Sequence, residues 1–170
     1  MDPREFEFKS TKPFVPLPGE RWLPLPGYEE TYKVSTHGRV WSRPRRHTQG
    51  GVLTVRTGMR GYTLVSLVQE GRQKTREVHR LVAAAFLGPR PEGMEVRHLD
   101  GDKQNPHVSN LAYGTPSENA RDKRRHGTDY NVAKTHCRNG HPYDEANTYR
   151  VASKPNTRIC RTCRRVWSKR

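Results

Sequence analysis

The sequence is short of hydrophobic, cysteine and acidic residues, and each shortage excludes a class of protein. Hydrophobic residues make up only 31% of the 170-residue chain, so any folded core is small. The longest apolar run, near Leu81, is far too short to cross a bilayer, and no stretch resembles a signal peptide. Three cysteines cannot form the disulfide framework of a small secreted domain. We therefore expect a cytoplasmic protein of one or two small domains without a membrane partner.

The charge of the chain is strongly one-sided. Lys and Arg number 32 against 17 Asp and Glu, a formal net charge of +15, which favours a polyanionic partner. The last fifty residues hold 14 Lys and Arg against 4 Asp and Glu, whereas the first 120 hold 18 against 13. A solvated basic tail would give the same excess. Here the excess coincides with metal-ligand residue types, which favours binding to nucleic acid.

Residues 96–119, VRHLDGDKQNPHVSNLAYGTPSEN, carry the most informative pattern. It predicts a strand that ends at His98, a polar loop that reaches Asn110, and a helix that carries Asn119. A histidine facing an amide ligand suits metal-assisted phosphodiester cleavage, since the imidazole can deprotonate a water and the amide oxygen can hold a divalent ion. A purely structural histidine is the alternative, but the surrounding H-x-D-G-D, N-L and E-N favour a catalytic one.

The boundaries of that helix are predicted from local chemistry. Thr115 is a candidate N-cap, Pro116 takes the first helical position, and Glu118 completes a capping box. Gly127 supplies the stop. Asn119 therefore falls in the second turn.

Two segments resemble a known family. Residues 96–119 resemble the core of HNH (His-Me finger) endonucleases, especially the phage and intron-encoded branch. The run ERWLPLPGYEETYKVSTHGRVWS, residues 20–42, resembles the modular motif at the front of many of these enzymes, with W, GYE, Y-x-V-S and GRV-x-S. Its strands turn at His37-Gly38. Because its aromatic residues fall inside the strands, we expect them in the core rather than stacked on DNA.

The resemblance implies a role for each site residue. His98 would be the general base, Asn110 would tether the loop, and Asn119 would be a ligand of Mg²⁺ or Mn²⁺. One position departs from the family pattern, because the residue before the base usually supplies a second metal ligand and here it is Arg97. Either Asp100 takes over as metal ligand, or Arg97 binds the scissile phosphate.

A basic hairpin precedes this core. Residues 62–68 form one predicted strand, Glu70-Gly71 a turn, and residues 72–78 the return strand. A two-stranded ribbon fits the major groove of B-form DNA, and in the resembling endonucleases it contacts DNA. The alternative is an ordinary solvent-facing edge strand. The candidate DNA-binding residues of this region are Arg60, Arg72, Lys74 and Arg76.

A second metal constellation lies near the C-terminus. Cys137, His141, Cys160 and Cys163 give C-x₃-H, eighteen residues, then C-x₂-C, which suits a closed structural Zn²⁺ site. The polar chain between the two pairs could not bury a core alone, so a metal explains its folding. Unrelated thiols are the alternative, and His136 is a poorer candidate than His141.

These observations predict an α+β protein with an N-terminal antiparallel sheet, a ββα-metal nuclease core and a small C-terminal zinc module. The expected divisions are a flexible segment 1–19, a β-rich DNA-binding motif 20–77, the nuclease core 78–127, and a linker with the zinc module 128–170. The predicted function is cleavage of double-stranded DNA by a phage or mobile-element nuclease, with a monomer favoured and the host cytoplasm as its place. The alternatives are a DNA-binding protein that lost the chemistry through Arg97 and a zinc-ribbon RNA-binding protein.

Overall fold

The computed structural model describes residues 15–46 and 48–167. The chain forms two compact units, residues 1–119 and 120–170, and the division falls inside a helix. The predicted flexible segment 1–19 lies largely outside the described residues. Within the described ranges, no helix is long and apolar enough to span a bilayer.

The first unit is built from three antiparallel sheets and two helices. Its elements are β1 (Trp22–Pro24), β2 (Tyr32–Ser35), β3 (Val40–Ser42), β4 (Gly51–Val52), β5 (Arg56–Thr57), β6 (Thr63–Gln69), β7 (Arg72–Glu77), α1 (Val78–Phe86), β8 (Glu95–His98), a 3₁₀ helix (Val108–Asn110), β9 (Leu111–Gly114) and α2 (Pro116–Arg125). Strands β1 to β4 form one sheet in sequence order, β5 to β7 a second, and β8 with β9 a third. The strand β8, strand β9 and helix α2 give the predicted ββα arrangement.

One hydrophobic core serves the whole first unit. Its buried members come from the N-terminal sheet, the hairpin strand β6, the helix α1 and the start of β9. They are Leu25, Tyr32, Val34, Val40, Val65, Leu67, Val78, Val82, Ala83 and Leu111. Tyr32 is 2% exposed and Trp41 4%, which confirms that these two aromatic side chains belong to the interior. The divisions predicted from the sequence stay predictions, although residues on both sides of residue 78 contribute to this core.

The helix α1 packs its apolar side against the core. Its hydrophobic pattern predicts that Leu81, Val82, Ala85 and Phe86 face the interior; Val82 is buried, and the other three are partly buried against the core. Val78, His79 and Ala83 are buried as well. The sequence pattern assigns a histidine to the polar side by default, but here the imidazole packs inward.

The ends of α2 follow the predicted local chemistry. The backbone N–H of Thr115 donates to Glu118 Oε2 at 2.8 Å, and the backbone N–H of Glu118 donates to Thr115 Oγ1 at 3.3 Å. This reciprocal pair is the capping box. Gly127 has φ of 67°, and its N–H donates to the carbonyl of Arg124 at 3.1 Å, so it ends the helix as expected.

The second unit is small and lacks an apolar core among its described residues. It contains the last turns of α2, α3 (Tyr130–Ala133), the antiparallel pair β10 (Thr148–Val151) and β11 (Lys154–Cys160), and α4 (Arg161–Trp167). Cys160 is its only described residue among the buried hydrophobic ones. The predicted α+β fold, with antiparallel sheets and a C-terminal cluster of metal-ligand residues, is confirmed.

Candidate active site and metal cluster

Asn110 fixes the loop that follows β8. Its amide accepts from the backbone N–H of Asp100 at 2.9 Å and donates to Asp100 Oδ1 and to the carbonyl of Asn105, both at 2.9 Å. Its own carbonyl accepts from the N–H of Leu99 at 2.9 Å. Asn110 is only 8% exposed, so these bonds are sheltered from water. The side chain therefore ties both ends of the loop to the strand that carries His98.

Both carboxylate oxygens of Asp100 are used inside this loop. Oδ1 accepts from the N–H of Asp102 at 2.7 Å as well as from Asn110, and Oδ2 accepts from the amide of Asn105 at 2.8 Å. Partial burial would raise the pKa of this carboxyl, but the three donors lower it below its usual value. Asp100 is thus an ionised loop anchor in this arrangement.

His98 lies at the C-terminal end of β8 and is 8% exposed. Its Nε2 is buried and has no hydrogen-bond partner among the described residues. Burial lowers the pKa of the imidazole, while Asp100 and Asp102 oppose that shift. The lowered pKa favours the uncharged ring at neutral pH.

The ring of His98 is packed against two further rings. The centroid of His79, on α1, lies 4.8 Å from that of His98, and Tyr62 lies 4.8 Å from His79 and 5.8 Å from His98. His79 Nε2 is 3.8 Å from Glu77 Oε2. Burial, with smaller contributions from His98 and Arg80, lowers the pKa of His79 to about 3. The sequence alone does not indicate this contact, because His79 lies on α1 and His98 on β8.

The side chain of Asn119, on α2, is hydrogen-bonded to that of Glu95, on β8. Its amide Nδ2 donates to Glu95 Oε2 at 2.5 Å. This bond uses the nitrogen and leaves the amide oxygen as the donor atom for a cation. Glu95 belongs to β8, three residues before His98, so one short strand connects the histidine with the helix amide. Glu95 was not predicted as a site residue, since its contact with Asn119 spans 24 residues of sequence.

Arg97 is held by its own neighbours. Its side chain is 15% exposed, and NH1 lies 3.7 Å from Glu118 Oε1 on α2. It also crosses Gly114 so closely that a Cβ there would collide with it. The ion pair and this close packing give Arg97 a structural contact with α2, and its predicted phosphate contact stays a prediction.

The basic hairpin residues lie at an exposed sheet edge. Arg72, Lys74 and Arg76 alternate along β7 and are all exposed. The register pairs Val65 with Arg76 and Leu67 with Lys74, so these two basic side chains leave the sheet on the same face as the buried Val65 and Leu67. The fourth predicted residue of this group, Arg60, precedes β6, and its carbonyl accepts from Lys103 Nζ at 3.0 Å.

The four predicted ligands of the second unit converge. Their ligand atoms all lie within 4.8 Å of one another. His141 Nδ1 is 3.5, 3.7 and 3.3 Å from the sulfurs of Cys137, Cys160 and Cys163, and the sulfurs of Cys137 and Cys163 are 3.7 Å apart. A tetrahedral zinc ion with its usual bond lengths separates two sulfurs by about 3.8 Å and a sulfur from a nitrogen by about 3.5 Å. The residues present therefore fit a tetrahedral metal ion.

Two asparagines support these sulfurs. Asn139 Nδ2 donates to Cys163 Sγ, and Asn147 Nδ2 to Cys160 Sγ, each at 3.3 Å. Burial would raise the pKa of the Cys160 thiol, but the N–H of Cys163 and the amide of Asn147 lower it to about 6. The thiolate is the form that binds metal. Asn147 also accepts from the N–H and hydroxyl of Thr162, which fixes the start of α4. The sequence pattern of ligands alone did not point to either asparagine.

Comparison with known families and proteins agrees with this geometry. An HNH endonuclease family model matches residues 76–121, and a NUMOD4 motif model matches residues 20–68. The chain is 37% identical over 113 residues to DNA endonuclease I-HmuI of Bacillus phage SP01, which covers 66% of this chain and 62% of that protein. It is 31% identical over 101 residues to H-N-H endonuclease F-TflII of Escherichia phage T5, covering 58% of this chain and 50% of that protein.

A solved structure gives the same fold. The structure titled "DNA binding and cleavage by the HNH homing endonuclease I-HmuI" matches with a TM-score of 0.56 and 36% identity, over 64% of this chain and 60% of that one. The chain thus spans less than two thirds of the length of these relatives. Residues 76–121, which hold His98, Asn110 and Asn119, match the HNH endonuclease family model, and residues 20–68 in front of them match the NUMOD4 motif model.

Proposed function

We propose that this chain is a DNA endonuclease of the HNH homing type that hydrolyses phosphodiester bonds of double-stranded DNA. The observation that carries the proposal is His98, a largely buried imidazole with a lowered pKa at the C-terminal end of β8. Asn110 holds the adjoining loop in place. The names of the relatives, DNA endonuclease and homing endonuclease, support the same reaction class.

His98 acts as the general base. One nitrogen of its uncharged ring accepts a proton from the water that attacks the scissile phosphorus, and Tyr62 and His79 keep the ring in place. Burial keeps His98 uncharged before the reaction, which is the state that a base requires. The imidazolium formed in the step lies close to the ionised Asp100 and Asp102, which favour its charge.

Asn119 and Glu95 form the binding site of the catalytic cation. An amide oxygen and a carboxylate oxygen are the hard donors that Mg²⁺ and Mn²⁺ take, and the contact of 2.5 Å between the two side chains brings both donors to one place. Asp100, predicted from the sequence as a ligand, already spends both oxygens on the loop. A divalent cation there would polarise the phosphate and stabilise the leaving oxygen.

This cation-binding site can be tested without measuring cleavage. Binding of Mn²⁺ alone to the protein, followed by electron paramagnetic resonance, should weaken at least tenfold in Asn119→Ala and in Glu95→Gln. The control Asp102→Asn, which changes an exposed loop carboxylate, should bind Mn²⁺ as the wild type does. Unchanged Mn²⁺ binding in Glu95→Gln would show that Glu95 is not a ligand of the cation.

The ion of the second unit is Zn²⁺ in a structural role. Three sulfurs and one imidazole are the donor set of closed zinc sites, and the distances fit such a site. With Cys137, His141, Cys160 and Cys163 all bound to the ion, no position is left open for a water, so this site does not take part in hydrolysis.

Plasmid nicking tests the enzymatic proposal. Wild-type protein should nick DNA flanking its own gene with Mg²⁺ or Mn²⁺. His98→Ala should lose on the order of 10²-fold or more in rate while binding the same DNA. His126→Ala, a histidine that follows α2 and lies outside the proposed roles, should cleave normally. Equal rates for His98→Ala and the wild type would contradict the proposed base.

The binding-only alternative rests on Arg97, which stands where the family usually has a metal ligand. Wild-type protein that binds DNA but never nicks it with any divalent ion would establish this alternative. Arg97→Asp restores the usual ligand type and should strengthen Mn²⁺ binding. It also breaks the pair with Glu118, so its thermal stability should be measured alongside.

A further inference from the structure

The end of the chain is purely cationic. Residues 146–170 contain eight Lys and Arg and no Asp or Glu. Self-repulsion of this kind is unfavourable unless a polyanion neutralises it. The described part of this segment contains β10, β11 and α4, so its charges are carried on regular structure.

Helix α4 presents this charge on one side. Arg161, Arg164 and Arg165 are exposed and spaced by three and four residues, which places them on neighbouring positions of the helix surface. The guanidinium groups of Arg161 and Arg164 lie 6.0 and 4.8 Å from the ring centroid of Tyr149. Arg161 Nε also donates to the carbonyl of Thr148 at 3.4 Å. These contacts hold the arginines in place, so little side-chain entropy is lost when they bind a ligand.

An exposed aromatic residue ends the same helix. Trp167 is 76% exposed and the neighbouring Val166 is 55% exposed, whereas Trp41 is 4% exposed. Trp22, the third tryptophan, is half-buried. A large apolar side chain kept in water beside arginines is a feature of surfaces that bind another molecule. Arginine and aromatic side chains together also bind nucleic acid, because arginine contacts phosphates and the aromatic ring packs on sugars or bases.

We propose that α4 and Tyr149 form a second DNA-contacting surface, in which the arginines bind phosphates of the duplex and Trp167 packs against the backbone sugar beside them. The occupant is duplex DNA because the surface is cationic throughout and the only polyanion that the proposed function supplies is the target DNA. The inference rests on that proposed function. The surface adds affinity that does not depend on base sequence, and the zinc site keeps α4 folded for this contact.

Salt-dependent binding of the zinc-loaded, full-length protein tests the arginines. Each phosphate contact contributes about 0.9 to the slope of log affinity against log salt, so Arg164→Gln with Arg165→Gln should lower the slope by about 2. The matched control, Arg43→Gln with Arg90→Gln, removes two exposed charges from the first unit and should leave the slope unchanged. Zinc content should equal that of the wild type in both. Equal slopes for the α4 variant and the wild type would overturn the proposal.

Tryptophan quenching tests the position of Trp167. Acrylamide should quench the exposed Trp167 in free protein, and duplex DNA should protect it. Trp167→Phe should remove the protected component. Protection by a single-stranded RNA but not by duplex DNA would overturn the choice of partner.

Nicking at saturating DNA separates this inference from the proposed function. If the α4 variant nicks at the wild-type maximal rate but needs more DNA, both are supported. A wild type that never nicks, with the same loss of slope in the variant, rejects the endonuclease and keeps the surface.

Discussion

At the scale of single residues, Asn110 contributes most to the geometry around His98. Asn110→Ala would leave the partly buried N–H of Asp100 and the carbonyl of Asn105 without this partner. Each such loss costs about 1–3 kcal/mol. We expect the free energy of unfolding to fall by about 2–4 kcal/mol in urea titrations, and the nicking rate to fall with it. Ser109→Ala, an exposed neighbour, is the control and should change neither by more than about 0.5 kcal/mol.

His79 gives the protein a measurable acid sensitivity. Its pKa in the folded state is about 3, against an ordinary value of 6.5. A depressed pKa means that stability is present above pH 6.5 and is lost as the pH falls from 6.5 toward 3, because only the unfolded chain takes up the proton readily. By pH 5 the loss amounts to about 2 kcal/mol.

The variant His79→Phe isolates this effect. It keeps a ring against His98 and Tyr62 but cannot take up the proton. Between pH 7.5 and pH 5, the melting temperature of the wild type should fall more steeply than that of the variant. Parallel curves would show that His79 is not the group responsible.

Residue contacts were predictable where they are local. The capping box of Thr115 and Glu118 spans three residues, and helix-end chemistry alone predicts it. The contact of Glu95 with Asn119 and the stacking of His79 on His98 join separate elements. No periodicity or motif contains that information, because it arises only when β8 packs beside α1 and α2.

At the scale of elements, the β6–β7 hairpin is the predicted DNA-binding ribbon. Replacing Arg72, Lys74 and Arg76 by glutamine should lower the salt slope of DNA binding by about 3, because each removed phosphate contact accounts for about 0.9. The measurement is fluorescence anisotropy of labelled duplex from low to physiological salt. Arg4, Lys9 and Lys12, which lie outside the described residues, offer a matched triple variant that should have less effect. Equal effects would favour the solvent-facing alternative.

The sequence predicted this hairpin well and α1 less well. Glu70 and Gly71 have φ of 52° and 73°, the left-handed pair that a two-residue turn requires, and the E-G pair with its flanking strands indicated the turn. In α1 the hydrophobic pattern placed Leu81, Ala85 and Phe86 inside, and they are partly buried against the core. The pattern did not indicate that His79 is buried, because that burial depends on the elements packed against α1.

At the scale of the whole molecule, the two units depend on different sources of stability. Every buried hydrophobic residue among the described ones, except Cys160, lies in the first unit. Removal of zinc by a chelator should therefore unfold the second unit and leave the first folded. In nuclear magnetic resonance spectra, the amide signals of residues 137–163 should move to random-coil shifts, while the signals of β2, β3 and α1 persist.

Metal analysis of single variants completes this test. Cys160→Ser and Cys163→Ser should each lose bound zinc, whereas Ser153→Ala, an exposed residue of the same unit, should keep it. Undiminished zinc in both cysteine variants would show that the ion is bound elsewhere. Global unfolding on chelation would show that the first unit is not independent.

The shared core of the first unit makes its two motifs depend on each other. Leu25, Tyr32 and Val34 come from the NUMOD4 segment, and Val78, Val82 and Leu111 from the HNH segment, yet they pack in one cluster. If either segment were joined to an unrelated neighbour, the core side chains that it contributes would be exposed to water. A larger side chain at a core position of one segment should therefore be tolerated best when a facing side chain of the other segment is made smaller.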